Sequence, residues 1–182
     1  MTDTNDKNDN SSSENDLIAQ RRAELQKLRE AGWNYPNHFR RDALAATLLA
    51  DHSGKDKAGL EQNVVRVKIA GRMMTRRVMG KAAFAHLQDM SGSMQIYVRR
   101  DDVPEGQYED FKHWDLGDIL GAEGRLFKTK TGELSVHVDR VALLAKSLRP
   151  LPEKYHGLTD HELRYRQRYL DLITNEQTRR TF

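Results

Sequence analysis

The stretch AAFAHLQDMSGSMQIYVR, residues 82–99, decides the fold, because it has the pattern of two β-strands joined by a tight Ser-Gly turn. Successive side chains of a strand point to opposite faces of a sheet, so each strand divides into two sets. The aliphatic sets are natural core faces: Ala83, Ala85, Leu87, Met94, Ile96 and Val98. The other sets are polar or aromatic: Phe84, His86, Gln88, Gln95, Tyr97 and Arg99. The pattern therefore predicts a hairpin with one apolar face and one polar, aromatic face.

The polar face of this hairpin suits unpaired nucleic acid. Flat rings stack on bases, amides form hydrogen bonds with base edges, and cations contact phosphates. An ordinary solvated sheet face, with Phe84 packed under a loop, is the alternative interpretation, and for an isolated hairpin it is the one to prefer. The rest of the chain has to decide between the two.

The composition limits the class of protein. A chain of 182 residues with 37% hydrophobic and 31% charged residues fits one ordinary domain with polar extensions. It has no cysteine, which excludes disulfides, cysteine-ligated zinc and thiol catalysis and favours a reducing, cytoplasmic location. No apolar run approaches the roughly 20 residues of a membrane span. The acidic N-terminus resembles neither a signal peptide nor a transit peptide.

The charge is unevenly distributed. Residues 1–16 contain five acidic residues and one lysine, a net charge of −4, so the remainder carries +7 of the total of +3. A basic folded part favours a polyanionic partner.

The first third of the chain is predicted to be a tail and a helical extension. Residues 1–14 are expected to be disordered because they have almost nothing to bury. Residues 15–60 form the N-terminal helical extension, with a helix from about Leu17 to Ala31, an aromatic linker GWNYPNHF at 32–39, and a short helix near 43–50. Arg21 and Arg22 belong to a cationic surface of the first helix, which either contacts a nucleic-acid backbone or is simply solvated.

Residues 61–147 have the pattern of five strands with a helix between the third and the fourth. This is the order of an OB-fold, a five-stranded, partly open barrel that binds oligonucleotides on its strand 2–3 face and flanking loops. The fold class is therefore mainly β with flanking helices. The hairpin supplies strands 2 and 3, and the basic loop with Lys128 and Lys130 joins strands 4 and 5. Two independent features thus fall where this fold binds, which favours Phe84 as a base platform.

Residues 148–182 read as a linker followed by the start of another domain. Arg149-Pro-Leu-Pro152 is a rigid exit from the strands, and Thr159 or Asp160 is expected to cap a basic helix over 161–172. No finished element is expected after this helix.

Three long motifs carry a resemblance to a known family. They are GRMMTRRVMGKAAFAHLQD (71–89), WDLGDILGAEGRLFKTKTGELSVHV (114–138) and LRPLPEKYHGLTDHELRYRQRYLDLI (148–173). From about Asn15 to Phe182 the chain resembles bacterial lysyl-tRNA synthetase, a class II aminoacyl-tRNA synthetase, truncated before its catalytic domain. In that family the N-terminal OB domain binds the tRNA anticodon.

The resemblance implies specific roles for four residues. Phe84 would stack on the central uridine of the anticodon and Gln95 would form hydrogen bonds with its edge. Arg77 would assist from strand 1, and Glu133 would read the third anticodon base. The remaining candidates for nucleic-acid binding are His86, Arg72, Lys128, Lys130, Arg21 and Arg22.

The resemblance also implies partners and limits. The full-length parent would be a lysine–tRNA ligase that uses ATP and Mg²⁺, binds tRNA(Lys) and dimerises mostly through the catalytic domain. This chain lacks the three class II motifs, so we expect no catalytic residue, cofactor or metal site here and no aminoacylation by the chain alone. The alternatives are a stand-alone OB module that binds single strands or regulates in trans, and a structural domain whose outer face contacts protein.

Overall fold

The computed structural model describes residues 6–152 and 161–182. Five strands form a single sheet: β1 Arg66–Met79, β2 Ala82–Gln88, β3 Ser93–Arg99, β4 Ile119–Lys128 and β5 Leu134–Ala145. The strands follow the order β1-β2-β3-β5-β4, and β4 pairs again with β1, so the sheet closes on itself as a barrel. Only the β3–β5 pairing is parallel. The five predicted strands are all present.

The core lies inside the sheet and is made by the inward-facing set of each strand. The predicted aliphatic sets of β2 and β3 are buried throughout, with exposed fractions of 2% or less. One glycine is required by this packing, because a Cβ on Gly124 would lie 2.0 Å from the carbonyl oxygen of His137. The register of β4 against β5 shifts at that point, so Gly124 permits the close approach of the two strands.

Three short helices surround the sheet. They are α2 Ala45–His52, α3 Lys57–Gln62 and α4 Gln107–His113. The predicted helix between the third and fourth strands is α4, and it contributes the buried rings of Tyr108 and Phe111 to the core. Sequence reasoning missed α3, because its polar sequence resembles a loop. Its start is capped by Asp56, which accepts a hydrogen bond from the backbone N–H of Gly59 at 2.8 Å.

The N-terminal helix, α1, spans Asp6–Glu30. It begins well before Leu17 and so includes residues 6–14 of the segment 1–14 that the sequence predicts to be disordered. Extending a helix costs far less than nucleating one, and acidic residues are favourable near a helix N-terminus. The helix can therefore nucleate within residues 17–30 and extend from there toward the N-terminus through the polar turns.

Two aromatic residues attach the linker after α1 to the sheet. The indole Nε1 of Trp33 donates a hydrogen bond to the carbonyl of Leu143 at 3.1 Å. The ring of Phe39 lies so close to Gly121 that an added Cβ would be 2.7 Å from it. The linker is thus held against β4 and β5.

A buried ion cluster joins α1 to the sheet. Lys146 has a side chain only 2% exposed, and its Nζ lies 3.0 Å from Glu24 and 3.4 Å from Asp118 and also contacts Asp115. Burial alone would lower the pKa of Lys146, but the hydrogen bond to Asp115 and the charge of Asp118 outweigh it and raise the pKa. Arg21 of α1 extends the cluster with its Nε 3.6 Å from Asp115.

The last part of the chain forms three short helices, α5 His161–Arg166, α6 Arg168–Thr174 and α7 Glu176–Thr181. The single helix predicted over 161–172 is therefore broken, at Gln167, whose φ of −114° and ψ of 54° lie outside the helical region. The expectation that no finished element follows is also wrong, since α7 is capped by Asn175. The predicted caps Thr159 and Asp160 lie outside the described residues. Across the described helices, none is long and apolar enough to cross a bilayer.

Candidate nucleic-acid interface

The outer face of the β2–β3 hairpin carries the predicted platform. Phe84 pairs with Tyr97 across the two strands, and His86 pairs with Gln95. The ring centroids of Phe84 and Tyr97 lie 4.9 Å apart, with the planes tilted by 41°. All four side chains are half-buried, between core and solvent. The prediction that Phe84 and Gln95 share one outer face is confirmed.

A β-bulge brings Arg77 to the same face. Val67, Ile69 and Met73 of β1 point inward, and strict alternation would send Arg77 inward with them. The register against β2 shifts between Met73 and Thr75, so the alternation reverses there. Arg77 is then exposed beside Phe84, its partner across the strands. Alternation counted from the start of β1 could not have found this position, because the extra residue changes the phase.

Hydrogen bonds link five side chains across this face. Thr75 Oγ1 lies 2.9 Å from His86 Nδ1, and His86 Nε2 lies 3.3 Å from Glu133 Oε1. An ionised carboxylate can only accept, so the imidazole donates to Glu133. Gln95 Nε2 donates to Glu133 Oε2 at 2.9 Å. Ser135 Oγ donates to Gln95 Oε1 at 2.8 Å. Three of the predicted site residues, His86, Gln95 and Glu133, are therefore in direct contact.

Sequence reasoning missed that the aromatic surface continues beyond Tyr97. The ring of Tyr97 lies 5.7 Å from that of Phe127 on β4 and 5.2 Å from that of His137 on β5. His137 Nε2 is also 2.7 Å from a carboxylate oxygen of Asp102. These residues are distant in sequence. Strand alternation could have found them, because Phe127 and His137 each occupy an outward-facing position of their own strand.

The predicted cations fall into exposed and engaged residues. Lys130, Arg22 and Arg77 are exposed. Lys128 lies in the same loop as Lys130, but its Nζ donates to the carbonyl of Ser53 at 2.8 Å. Part of its role is therefore to attach the loop to the end of α2.

Arg72 is half-buried rather than free in solvent. Its guanidinium donates to the carbonyl of Gly117 at 2.7 Å, and burial lowers its pKa more than the charge of Asp118 raises it. It lies before the bulge, on the part of β1 that pairs with Gln88. Its main contacts are thus with the protein.

The expectation that Arg21 lies on a cationic surface is wrong. Arg21 is 8% exposed and donates to the carbonyls of Ser147 and Arg149 at 3.2 and 3.1 Å. These bonds fix α1 to the segment that leaves β5. Its guanidinium is therefore engaged within the fold. The sequence could not show this, because arginine spacing alone does not reveal which side of the helix packs.

The face as a whole combines the groups needed to hold unpaired bases. It offers aromatic rings, an amide with a partner on each end and a carboxylate, with an exposed guanidinium on the neighbouring strand. Rings supply stacking that tolerates any base, and the amide and carboxylate supply directional contacts that do not. Among the described residues, no group of three or more His, Asp or Glu side chains is placed to hold a metal ion.

Comparisons with known proteins show which proteins this chain is similar to. A family model described as an OB-fold nucleic acid binding domain matches residues 67–144, which confirms the predicted OB fold. Lysine–tRNA ligase of Coxiella burnetii is 63% identical over 169 residues, covering 93% of this chain and 34% of that protein. The chain is a homologue of lysine–tRNA ligases.

Two further lysine–tRNA ligases give the same picture. The protein of Idiomarina loihiensis is 64% identical over 92% of this chain and 34% of its own length. That of Thioalkalivibrio sulfidiphilus is 60% identical over 93% of this chain and 34% of its own length. The chain therefore spans about a third of the length of the relatives it matches, and the predicted resemblance to lysyl-tRNA synthetase is confirmed.

Proposed function

We propose that this chain binds the anticodon stem-loop of tRNA(Lys) through the outer face of the β2–β3 hairpin. The observation that carries the proposal is the assembly of Phe84, Gln95 and Glu133 on one face, in an OB-fold homologous to lysine–tRNA ligases. The ring of Phe84 stacks on the central uridine, the amide of Gln95 contacts its edge, and Glu133 reads the third base.

The cations supply sequence-independent affinity. Arg77 beside Phe84 contacts the phosphate next to the stacked base, and Lys130 with Lys128 holds the backbone from the loop between β4 and β5. Arg22 extends the contact along the arm of the stem-loop from α1. His86 acts mainly through Glu133, which it holds by a hydrogen bond. Arg21 is not one of the cations that contact RNA, and Arg72 contributes through its charge only.

The catalytic part of the proposal belongs to a longer protein. In a full-length parent, the chemistry is the ATP- and Mg²⁺-dependent attachment of lysine to tRNA, in a cytoplasmic homodimer formed mostly by the catalytic domain. The 182-residue chain supplies tRNA selection and no aminoacylation. The helical extension, predicted to begin at residue 15, takes in all of α1 from Asp6 and runs to residue 60. Residues 61–147 form the anticodon-binding domain and 148–182 the approach to the catalytic domain.

The experiment compares two 17-nucleotide stem-loops that differ only in the anticodon, one with UUU and one with CCC, across a salt series. We expect a clear preference for UUU at every salt concentration. Affinity for both should fall as salt rises, because phosphate contacts release counterions. Equal, salt-sensitive binding would instead identify a generic OB module for single strands. Binding that does not depend on salt would indicate a protein-contacting face.

A further inference from the structure

The side-chain amide of Gln95 is held at both ends. Its Nε2 donates to Glu133 Oε2 at 2.9 Å, and its Oε1 accepts from Ser135 Oγ at 2.8 Å. A glutamine amide can normally rotate to exchange its donor and acceptor ends. Here rotation would turn Oε1 toward a carboxylate that cannot donate. The two neighbours together therefore fix which end of the amide is the donor.

In the free protein both neighbours are themselves held in place. Ser135 is fully buried on β5, where it pairs directly with Gln95 of β3. The other acceptor within reach of its hydroxyl is the carbonyl of Glu133, at a longer 3.4 Å, so donation to Gln95 is preferred. The carboxylate of Glu133 is held on its second oxygen by His86, which is bonded in turn to Thr75. The support of the amide therefore extends from β5 to β1.

We infer that Ser135 is a positioning residue that makes Gln95 select a base with an acceptor at its edge, an inference that rests on the proposed function. Nε2 carries two hydrogens, and among the described residues Glu133 accepts one of them. The second is offered to the ligand. Uracil has a carbonyl oxygen where cytosine has an amino group. The fixed amide therefore bonds to uracil and meets cytosine donor to donor.

The role of Ser135 becomes decisive when RNA binds. Glu133 is proposed to read the third base, and a carboxylate that turns to that base no longer restrains Gln95. Ser135 is buried beneath the face and cannot be recruited by the ligand. It is thus the neighbour that keeps Oε1 occupied in the complex. Without its hydroxyl, the amide can rotate and accept from the amino group of cytosine.

The test uses the full chain with Ser135→Ala and two stem-loops, UUU and UCU, which differ only at the central base. In the wild-type protein UUU should bind better. In the variant the ratio of the two affinities should fall about tenfold, the size of one correct base contact, mainly because UCU binds better. Ser135→Thr, which keeps a hydroxyl on a strand position that favours Thr, should retain the ratio.

A second measurement does not depend on RNA. The two side-chain amide protons of Gln95 should exchange slowly with water in the free wild-type protein, because both ends of the amide are hydrogen-bonded. Ser135→Ala should shift their NMR signals and speed their exchange, because the amide then keeps only its bond to Glu133, while thermal melting shows that the domain is folded. This result would support the fixed amide even if Ser135→Thr failed to fold.

The outcomes separate the inference from the proposed function. If wild-type protein does not prefer UUU over CCC, the proposed function fails first. If it prefers UUU but Ser135→Ala keeps the full discrimination between UUU and UCU, the inference on Ser135 is overturned. An equal loss of affinity for both stem-loops would also overturn it, since a merely structural serine has that effect.

Discussion

Lys146 and Asp118 form an ion pair inside the protein: Nζ lies 3.4 Å from Oδ2, and the two side chains are 2% and 0% exposed. Asp118 is fixed further by the backbone N–H groups of Asp115 and Ser147, each of which donates to its carboxylate. Burial raises the pKa of Asp118, opposed by the hydrogen bond from Ser147 and the charge of Lys146. The pair connects the end of β5 to the loop that enters β4, and through Glu24 it reaches α1.

Lys146→Met should therefore lower the free energy of unfolding of the domain. The change keeps an apolar side chain of similar length but leaves buried carboxylates without their cation, which costs about 3–5 kcal/mol of unfolding free energy. Urea denaturation measures it. Lys130→Met, at an exposed lysine, is the matched control and should change stability by less than about 0.5 kcal/mol. Equal effects of the two substitutions would show that the cluster is not buried in solution.

Arg21 and Arg22 are neighbours in sequence but should give opposite phenotypes. Arg21→Ala removes two hydrogen bonds to the carbonyls after β5, so it should cost about 1–3 kcal/mol of stability and speed hydrogen exchange in α1. Arg22→Ala removes an exposed cation, so it should leave melting unchanged.

The Arg21 and Arg22 variants should also differ in RNA binding. Arg22→Ala should weaken all stem-loops similarly and reduce the salt slope by about one unit, as the loss of one phosphate contact does. If Arg21→Ala showed that salt signature while the protein remained as stable as wild type, the assignment of Arg21 to the fold would be wrong.

The carboxyl group of Asp89 should make the stability of the protein depend on pH in the acidic range. Burial alone would raise its pKa, but hydrogen bonds from Ala45, Ser91 and Gly92 outweigh it and lower the pKa below the ordinary value. A carboxyl group with a lowered folded pKa stabilises above its unfolded pKa of about 3.9, and that contribution is lost as pH falls through the folded pKa. The stability of the wild type should therefore decline as pH falls below about 4.

Asp89→Asn tests this assignment. The amide keeps one acceptor for the bonds to Ser91 and Gly92 but cannot also accept well from Ala45 at the start of α2. Stability at pH 7 should drop by about 1 kcal/mol, the value of a helix cap, and the decline in acid should be smaller. Asp51→Asn, at an exposed position of α2, is the control, and an identical acid profile for both variants would refute the role of Asp89.

The hairpin could be predicted from the sequence because its two strands alternate without interruption. Phe84 and Gln95 were placed on one face by counting alone, and the structure agrees. Arg77 could not be placed this way, since the bulge between Met73 and Thr75 reverses the alternation. Only the family resemblance pointed to it.

Arg21 and Ser135 show a second limit. Whether an arginine on a helix is solvated or buried depends on what packs against it, and its partners Ser147 and Arg149 lie more than a hundred residues away in sequence. Ser135 has no local signal either, because its partner Gln95 lies on another strand, joined by a parallel pairing that the turn patterns do not predict. Tertiary contacts of this kind are formed by the closed sheet and are absent from local periodicity.

Phe84→Ala should weaken RNA binding with little loss of stability. The ring is half-buried and contacts Tyr97 at 4.9 Å between centroids, so its removal costs folding about 0.5–1.5 kcal/mol for the ring pair beyond a modest burial term. It removes the stack on the central base, which should cost about 1–3 kcal/mol of binding free energy. Binding of the UUU stem-loop, measured beside a urea melt, separates the two effects. Phe111→Ala is the matched control, since that ring is fully buried and its loss should cost about 3–5 kcal/mol of stability. If Phe84→Ala melted like Phe111→Ala, Phe84 would be part of the core, and the outer face would have lost the platform on which the proposed function rests.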